Sequence, residues 1–511
     1  MAHTEHIRSL LLALATTALI SGCAAGPDFL KPAAPRVVNY TPSRISLETS
    51  PDRIPAGGTQ ALVTGANISG EWWKLFRSKP LNDLIRRSLQ ANPNLKAAQA
   101  ALAVARENTL AQYGAYYPAV SGGFSAFRQK TSNQISATPA NGAFYYSLYT
   151  PQVSVSYTPD VFGLNRRTVE SLKAQEEATR YALVATDIAL SANVVTAAVQ
   201  EASLREQISA TRRIIAINVQ MLHLLGNQFA KGSATGLDVA AEESQLAQVE
   251  ATLPPMIAQL AQQRDLLSVL AGGFPGDGLN QKFELKDLYL PRRLPLSLPS
   301  RLVEQRPDVR QAEESLHSAS AQVGVAFANR LPSFTLTSAV GGMALLAGQM
   351  FAGDARFWTL AAGVTQPIFE GGTLLHRERA ARAAYVQAAE QYKSTVLGAF
   401  QNVADTLYAL EQDGKSLNAA RAAENAAKAT LDLTRRQLQA GTVNYLAVLS
   451  AEQAYHQAVI TLVQAEASRF SDTAALFLAL GGGWWNRPEM IDPPHLNVTQ
   501  EDRQMRKALE E

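Results

Sequence analysis

The chain has 511 residues, 47% of them hydrophobic, a single cysteine and a formal net charge of +2. That length exceeds one ordinary core, and a balance so near neutral leaves no electrostatic footprint for nucleic acid or an acidic surface. One cysteine excludes an internal disulfide, so stability must come from packing.

Residues 1–22 read as a secretory signal: Arg8, then Leu10-Leu11-Leu12-Ala13-Leu14-Ala15, then small residues before a cut site. Cys23 stands at its exit, and Ile20-Ser21-Gly22-Cys23 looks like a bacterial lipobox, whose cysteine becomes the lipidated first residue. The alternative is an ordinary signal with a cysteine nearby by chance. Acyl chains contribute about 0.8 kcal/mol per buried CH₂, so two or more anchor stably. Ala24 follows, with no aspartate to direct retention at the inner membrane. No apolar run of about 18 residues comes later, which leaves a closed β-barrel as the expected way to span a membrane.

The rest is written twice. Asn92-Pro93-Asn94-Leu95 answers Arg306-Pro307-Asp308-Val309, and Pro118 answers Pro332, both at an offset of 214. Gly232 and Leu237 answer Gly441 and Leu446 at an offset of 209. A repeat this long is a duplicated domain-sized unit rather than a short-period solenoid. The expected division is 1–22 signal, 23–80 lipidated extended segment, 81–272 first repeat, 273–298 linker, 299–483 second repeat and 484–511 tail.

Each copy opens with a helical stretch, from Leu95 to about Tyr117 and from Gln311 to Arg330, and stops at a proline. Short alternating runs follow. Val153 to Thr158, Phe334 to Thr337, Trp358 to Thr365 and, most weakly, Val120 to Ala126 each put apolar residues on one face and small or polar ones on the other. That is the pattern of barrel strands with lipid outside and water inside, although a soluble hairpin over a core reads alike. Four strands cannot close a barrel. Two copies would supply eight and three copies twelve.

A very long proline-free helix is expected next in each copy, from about Asn165 to Ala230 and from about Thr373 to Ala440. Some 65 residues at roughly 1.5 Å each make a rod of about 100 Å, enough to cross a periplasm. A plain coiled coil is the alternative, but strict heptads are not sustained. Each rod ends at a glycine turn, Gly232 or Gly441, and a helix returns. The first return, from Leu237, is expected to break at Pro254-Pro255 and restart; the second runs from Leu446 to about Leu480.

With these elements in order, the chain resembles the outer membrane factors, the TolC and NodT-like channel proteins of tripartite efflux pumps. Gly26-Pro27-Asp28-Phe29 with Pro32 resembles the lipoprotein branch. Trp72-Trp73, Phe76, Pro80-Leu81 and Asn92-Pro93-Asn94-Leu95 match the motif that opens the first repeat. Leu298-Pro299-Ser300 and Arg306-Pro307-Asp308-Val309-Arg310 match the second. Asp160-Val161-Phe162-Gly163 and Pro367-Ile368-Phe369-Glu370-Gly371-Gly372 match the strand-to-rod turns. Lys79 departs from the acid that the family often has before the proline.

The resemblance implies a mostly α fold with a membrane β-barrel. In it a homotrimer contributes four strands per protomer, twelve in total, above a long periplasmic α-helical barrel. It implies outer membrane lipid as surroundings, a periplasmic adaptor as partner and an inner-membrane pump of RND or MFS type. An equatorial belt would draw on parts of 60–90, 273–305 and 415–511. Gly232 and Gly441 occupy the turns that face the adaptor. Asp238 occupies a position where the family narrows the pore mouth with acids; the second copy has Ala447 there and Ser450 one turn on. Thr235-Gly236-Leu237-Asp238 also reads as a capping box, which needs no pore role.

No P-loop, H-E-x-x-H or G-x-S-x-G occurs, so no enzyme, cofactor or metal site is expected. His223, His317, His376 and His456 read as surface or interface residues. A wall of Gln152, Ser154, Ser156, Thr359 and Thr365 would be wet and unselective. The expected function is passive conduction of small organic toxicants or drugs out of the cell. The alternative is a non-channel, lipid-anchored structural coiled-coil envelope protein.

Overall fold

The computed structural model describes residues 24–43, 45, 56–130 and 145–491. The expected signal, Cys23 and the end of the tail lie outside the described residues.

A short strand, β1 (Ala61–Thr64), precedes helices α1 (Lys79–Ala91) and α2 (Pro93–Tyr113). Strands β2 (Ala119–Lys130) and β3 (Tyr145–Tyr157) follow, then the rod α3 (Leu164–Ala230) and its return α4 (Gly236–Leu270). A linker carries strand β4 (Arg293–Leu296). The second half repeats the order: α5 (Pro299–Gln305), α6 (Pro307–Ala328), β5 (Ser333–Gly342), β6 (Arg356–Thr365), the rod α7 (Thr373–Gln439), its return α8 (Tyr445–Ala479), and a terminal turn α9 (Pro488–Ile491). Both rods have 67 residues and both returns 35. At 1.5 Å per residue each rod is about 100 Å long.

One sequence expectation needs correction. α4 runs unbroken through Pro254 and Pro255. Proline removes an N–H and leaves the carbonyl four residues back unpaired. Here both prolines are on an exposed stretch, where water can take those carbonyls. Along α7 Val396, Val403, Leu410 and Leu417, spaced by seven, are all buried, with Ala399 and Leu407 between them and Tyr392 one turn before. This short heptad run covers only part of the 67-residue rod. The most apolar window of α3 could cross a membrane by length and composition, but 67% of it is buried inside the protein. It is a core helix.

The core sits midway along the rods. Trp72 is fully buried and stacks on Phe477 with ring centroids 5.1 Å apart, and Phe76 packs against Phe470. β1 pairs in parallel with β4, joining two segments the sequence shows only as loose chain. Glu201, fully buried on α3, accepts hydrogen bonds from Arg205 and Arg264 and from the Phe283 amide. One carboxylate thus ties rod, return helix and linker together. Arg487 from the C-terminal segment reaches the buried Asp187 on α3 at 2.6 Å.

Candidate functional site

The four long strands form one antiparallel sheet in the order β2-β3-β5-β6. Register decides what each face carries, because directly opposed residues point the same way. Ser121, Ser154, Ala339 and Thr359 lie in one row, and Ala119, Ser156, Thr337 and Ala361 in another. The opposite face carries Val120, Phe124, Val153, Leu336, Val340, Trp358, Leu360 and Val364. Every one of these apolar side chains is exposed, Trp358 at 77% and Leu360 at 74%. An apolar face of this size turned outward calls for a non-aqueous neighbour. The expected wall residues Gln152, Ser154, Ser156, Thr359 and Thr365 all fall on the other face. β2 and β6 are the sheet's two edges. Long unpaired edges are templates for further strands.

Below the sheet the chain turns into the rods. Asp160 accepts hydrogen bonds from the amides of Asn165 (2.9 Å) and Arg166 (2.8 Å), and Gly163 takes a left-handed φ of 77° to begin α3. The start of the described chain is strapped across this junction. The Ala25 amide donates to the Phe162 carbonyl at 2.9 Å. Arg167, itself buried, donates to the carbonyls of Ala25 and Gly26 and pairs with Asp28 at 2.7 Å. Gly26 has φ +92° and lies directly against Gly324 of α6, leaving no room for a Cβ on either. Phe29 stacks on His317 at 4.3 Å.

At the far end the two hairpin turns are built alike. Gly232 (φ 74°) and Gly441 (φ 70°) close the rods in the left-handed conformation. The following amides, of Ser233 and Thr442, reach back five residues to the carbonyls of Gln228 (2.9 Å) and Gln437 (3.0 Å). Such 6→1 bonds satisfy carbonyls that a helix end leaves open. A Cβ on either glycine would meet nothing within 4 Å, so both face open space. The return helices are then capped differently. Thr235 and Asp238 form a reciprocal capping box, whereas Asn444 accepts from the Ala447 amide at 3.2 Å. Asp238 is half-buried with one carboxylate oxygen held in the cap; Ser450 is exposed.

Sequence reasoning missed a cluster about two turns in from the tips. Glu242, Tyr445 and Glu452 are all buried, and the Tyr445 hydroxyl donates to Glu242. Arg435 pairs with Glu452 at 2.7 Å. The signal available was a glutamate early in the return helix, which reads as solvated until the partner helix is in place. Of the four helical histidines, His456 lies 3.2 Å from the Thr211 hydroxyl and His317 3.1 Å from Glu170. Among the described residues, no group of three or more metal-binding side chains gathers.

Residues 84–273 and 298–482 match the family model for outer membrane efflux proteins. The chain belongs to that family. The match falls twice, once on each half of the duplication. The toluene efflux pump outer membrane protein TtgC of Pseudomonas putida is 29% identical over 484 residues, covering 93% of this chain and 96% of that protein. The outer-membrane channel OprN superposes with a TM-score of 0.80 at 26% identity, over 90% of this chain and all of that one. The CmeC channel of Campylobacter jejuni, at 21% identity and a TM-score of 0.83 over 94% of this chain, shares the fold. The fold class is that of trimeric channels with a β-barrel on an α-helical barrel, and the protein is an outer-membrane efflux channel component. The family consists of channel proteins rather than enzymes.

Proposed function

We propose that three copies of this chain close a twelve-stranded barrel, β2 of one protomer pairing with β6 of the next, above a periplasmic tunnel of rods and returns. The single observation that carries this reading is the sheet: four strands, one face whose exposed residues are mostly apolar, an opposite face rich in Ser, Thr and other small residues, and two open edges. Four strands cannot enclose a pore, whereas twelve can hold a water-filled one.

The anchor would be Cys23. The strap from Ala25 to Phe29 holds the residues just after it at the sheet-to-rod junction. An acyl group there would enter the membrane at the edge of the apolar face. The division of the chain into signal, lipidated segment, two repeats, linker and tail fits this layout.

Partners would be a periplasmic adaptor at the exposed turns of Gly232 and Gly441 and an inner-membrane pump of RND or MFS type. Asp238 and Ser450 would line the closing mouth. The cargo would be small organic toxicants, as the name of the toluene pump relative suggests. No step consumes energy in this chain: it conducts, and the pump drives. Deleting the chain in its own host and measuring growth on apolar organic toxicants tests the cargo. Increased sensitivity, restored by the intact chain and not by Cys23→Ala with a non-lipidated signal, is expected for a lipid-anchored conduit. Unchanged sensitivity contradicts the cargo class.

A further inference from the structure

Charge in the sheet is sparse and one-sided. Its four strands carry only three charged residues, Arg128 and Lys130 on β2 and Arg356 on β6, and all three are cations. Side chains alternate between the two faces of a strand. Arg128 and Lys130 therefore share the face of Val120 and Phe124, and Arg356 that of Trp358 and Leu360. Every charge of the sheet lies on its apolar face and none on its polar face. All three side chains are exposed. Among the described residues none of them enters an ion pair; Lys130 lies over the Tyr145 ring, 5.4 Å from its centroid.

Their depth is matched. β2 leaves the helices at Ala119 and β6 returns to them after Thr365. Counted from those ends, Arg128 is the tenth residue of β2 and Arg356 the tenth of β6. Nine steps of about 3.4 Å at a tilt of about 40° rise about 23 Å, close to the roughly 25 Å height of an outer-membrane apolar band. Both guanidinium groups thus come to the outer limit of that band, with Trp358 and Tyr145 beside them as interfacial aromatics. The connections beyond add little to offset them: residues 131–144 bring no charge, and residues 343–355 bring only Asp354.

β2 and β6 are opposite edges of the sheet. In a closed barrel, β2 of one protomer lies about 4.8 Å from β6 of the next. Three cations from two chains then gather at one seam, where like charges repel. We propose that each seam binds the phosphate groups of the phosphorylated glycolipid of the outer leaflet, Arg128 and Lys130 coming from one protomer and Arg356 from the next. The site rests on the trimeric reading above, since no single chain brings both edges together. Guanidinium groups take phosphate oxygens in bidentate pairs, and the bound anion relieves the repulsion that closure creates. The apolar face just below, with Trp358 and Leu360, suits the acyl chains of the same molecule.

Native mass spectrometry of the purified, acylated particle mixed with bisphosphorylated lipid A counts chains and glycolipids together. The three-chain particle is expected to retain up to three glycolipids, one per seam. R128Q and R356Q, on different strands, should each weaken retention about five-fold, and R356K should lose less than R356Q. K231Q removes an equally exposed cation at the far tips and should change nothing. Dephosphorylated lipid A, phosphatidylglycerol and inorganic phosphate should be shed under the same conditions. Retention unchanged in R128Q and R356Q, an equal loss in K231Q, or equal retention of dephosphorylated lipid A or phosphatidylglycerol overturns the site. A three-chain particle that sheds lipid A overturns the site and leaves the trimer standing; a one-chain particle overturns both.

Discussion

Arg306 does in the second half what Asn92 does in the first. The Asn92 side chain donates to the Leu270 carbonyl at the end of its own return helix, at 3.1 Å, while its oxygen caps α2 through the amides of Asn94 and Leu95. Arg306 donates to the Ala479 carbonyl at the end of the other return helix, at 2.9 Å. Leu270 and Ala479 are themselves counterparts at the 209-residue offset. The duplication has kept the tie between opening helix and return helix while changing the side chain that makes it. Asp308 then holds the Arg306 guanidinium at 2.6 Å, a role Asn92 does not require.

Removing these ties should loosen both junctions, unequally. Asn92→Ala loses a cap and a buried hydrogen bond, for about 1–2 kcal/mol. Arg306→Ala strands the buried Ala479 carbonyl and removes the pairing to Asp308, whose exposed carboxylate stays solvated, and should cost about 2–3 kcal/mol. Denaturant midpoints of the solubilised protein, followed by far-UV circular dichroism, measure both. Equal costs would contradict the extra role of Asp308.

The strap makes a geometric prediction. Gly324→Val would push its Cβ to 2.7 Å from the Ala25 carbonyl and onto the Arg167 side chain. Overpacking of this kind typically costs about 1–3 kcal/mol. The strap is the part that can yield, so it should lift while the helices stay folded. Limited proteolysis between Ala25 and Lys31 should become fast in the variant, with helical content unchanged.

Neighbouring residues on β6 should differ sharply. Leu360→Arg puts a charge on the apolar face, for about 2–4 kcal/mol if that face meets the middle of a bilayer. Thr359→Arg puts the same charge on the polar face, where it should alter ion selectivity and leave assembly intact. Yield of assembled protein in the outer-membrane fraction checks the first. Reversal potential in a salt gradient checks the second.

Acidity should stabilise the helix packing around Asp413 and Glu466. Asp413 on α7 is raised to about 7 by burial and by Asp472 on α8, and Glu466 is raised to about 7 by burial and by Glu206. An acid whose folded value is raised binds its proton more tightly folded than unfolded. Stability should therefore climb as pH falls from about 7 toward the ordinary carboxylate range, and stay level above about 7, where these groups are ionised in both states. Thermal melts across that window should show this slope, and D413N with E466Q should flatten it.

Much of the protein was legible because its strongest patterns are local. The two rods lack proline and end in glycines that need positive φ, so Leu164–Ala230 and Thr373–Gln439 lie within a residue or so of the expected limits. Alternation in Phe334 to Thr337 and Trp358 to Thr365 marked strands, and register then sorted the faces as expected. What stayed hidden is non-local. β1 and β4 pair across more than two hundred residues, and neither four-residue run carries a pattern of its own. The short heptad run along α7 has Tyr392 and Ala399 beside Val396 and Val403, too mixed in size to stand out as a heptad. Pro254 and Pro255 mislead because the cost of an interior proline depends on solvent access to the freed carbonyls. Glu242 looked like any surface acid until Tyr445 arrived from the other half of the chain. At Asp238 the capping box written in Thr235-Gly236-Leu237-Asp238 is present in the structure.

The most direct test of the central claim is the mass of the purified, acylated protein in detergent, taken with the detergent contribution removed. Completion of the sheet by like copies predicts a particle of three mature chains, each lighter than the 55.0 kDa of the full 511 residues by the removed residues 1–22. A well-folded species with the mass of one chain would contradict it.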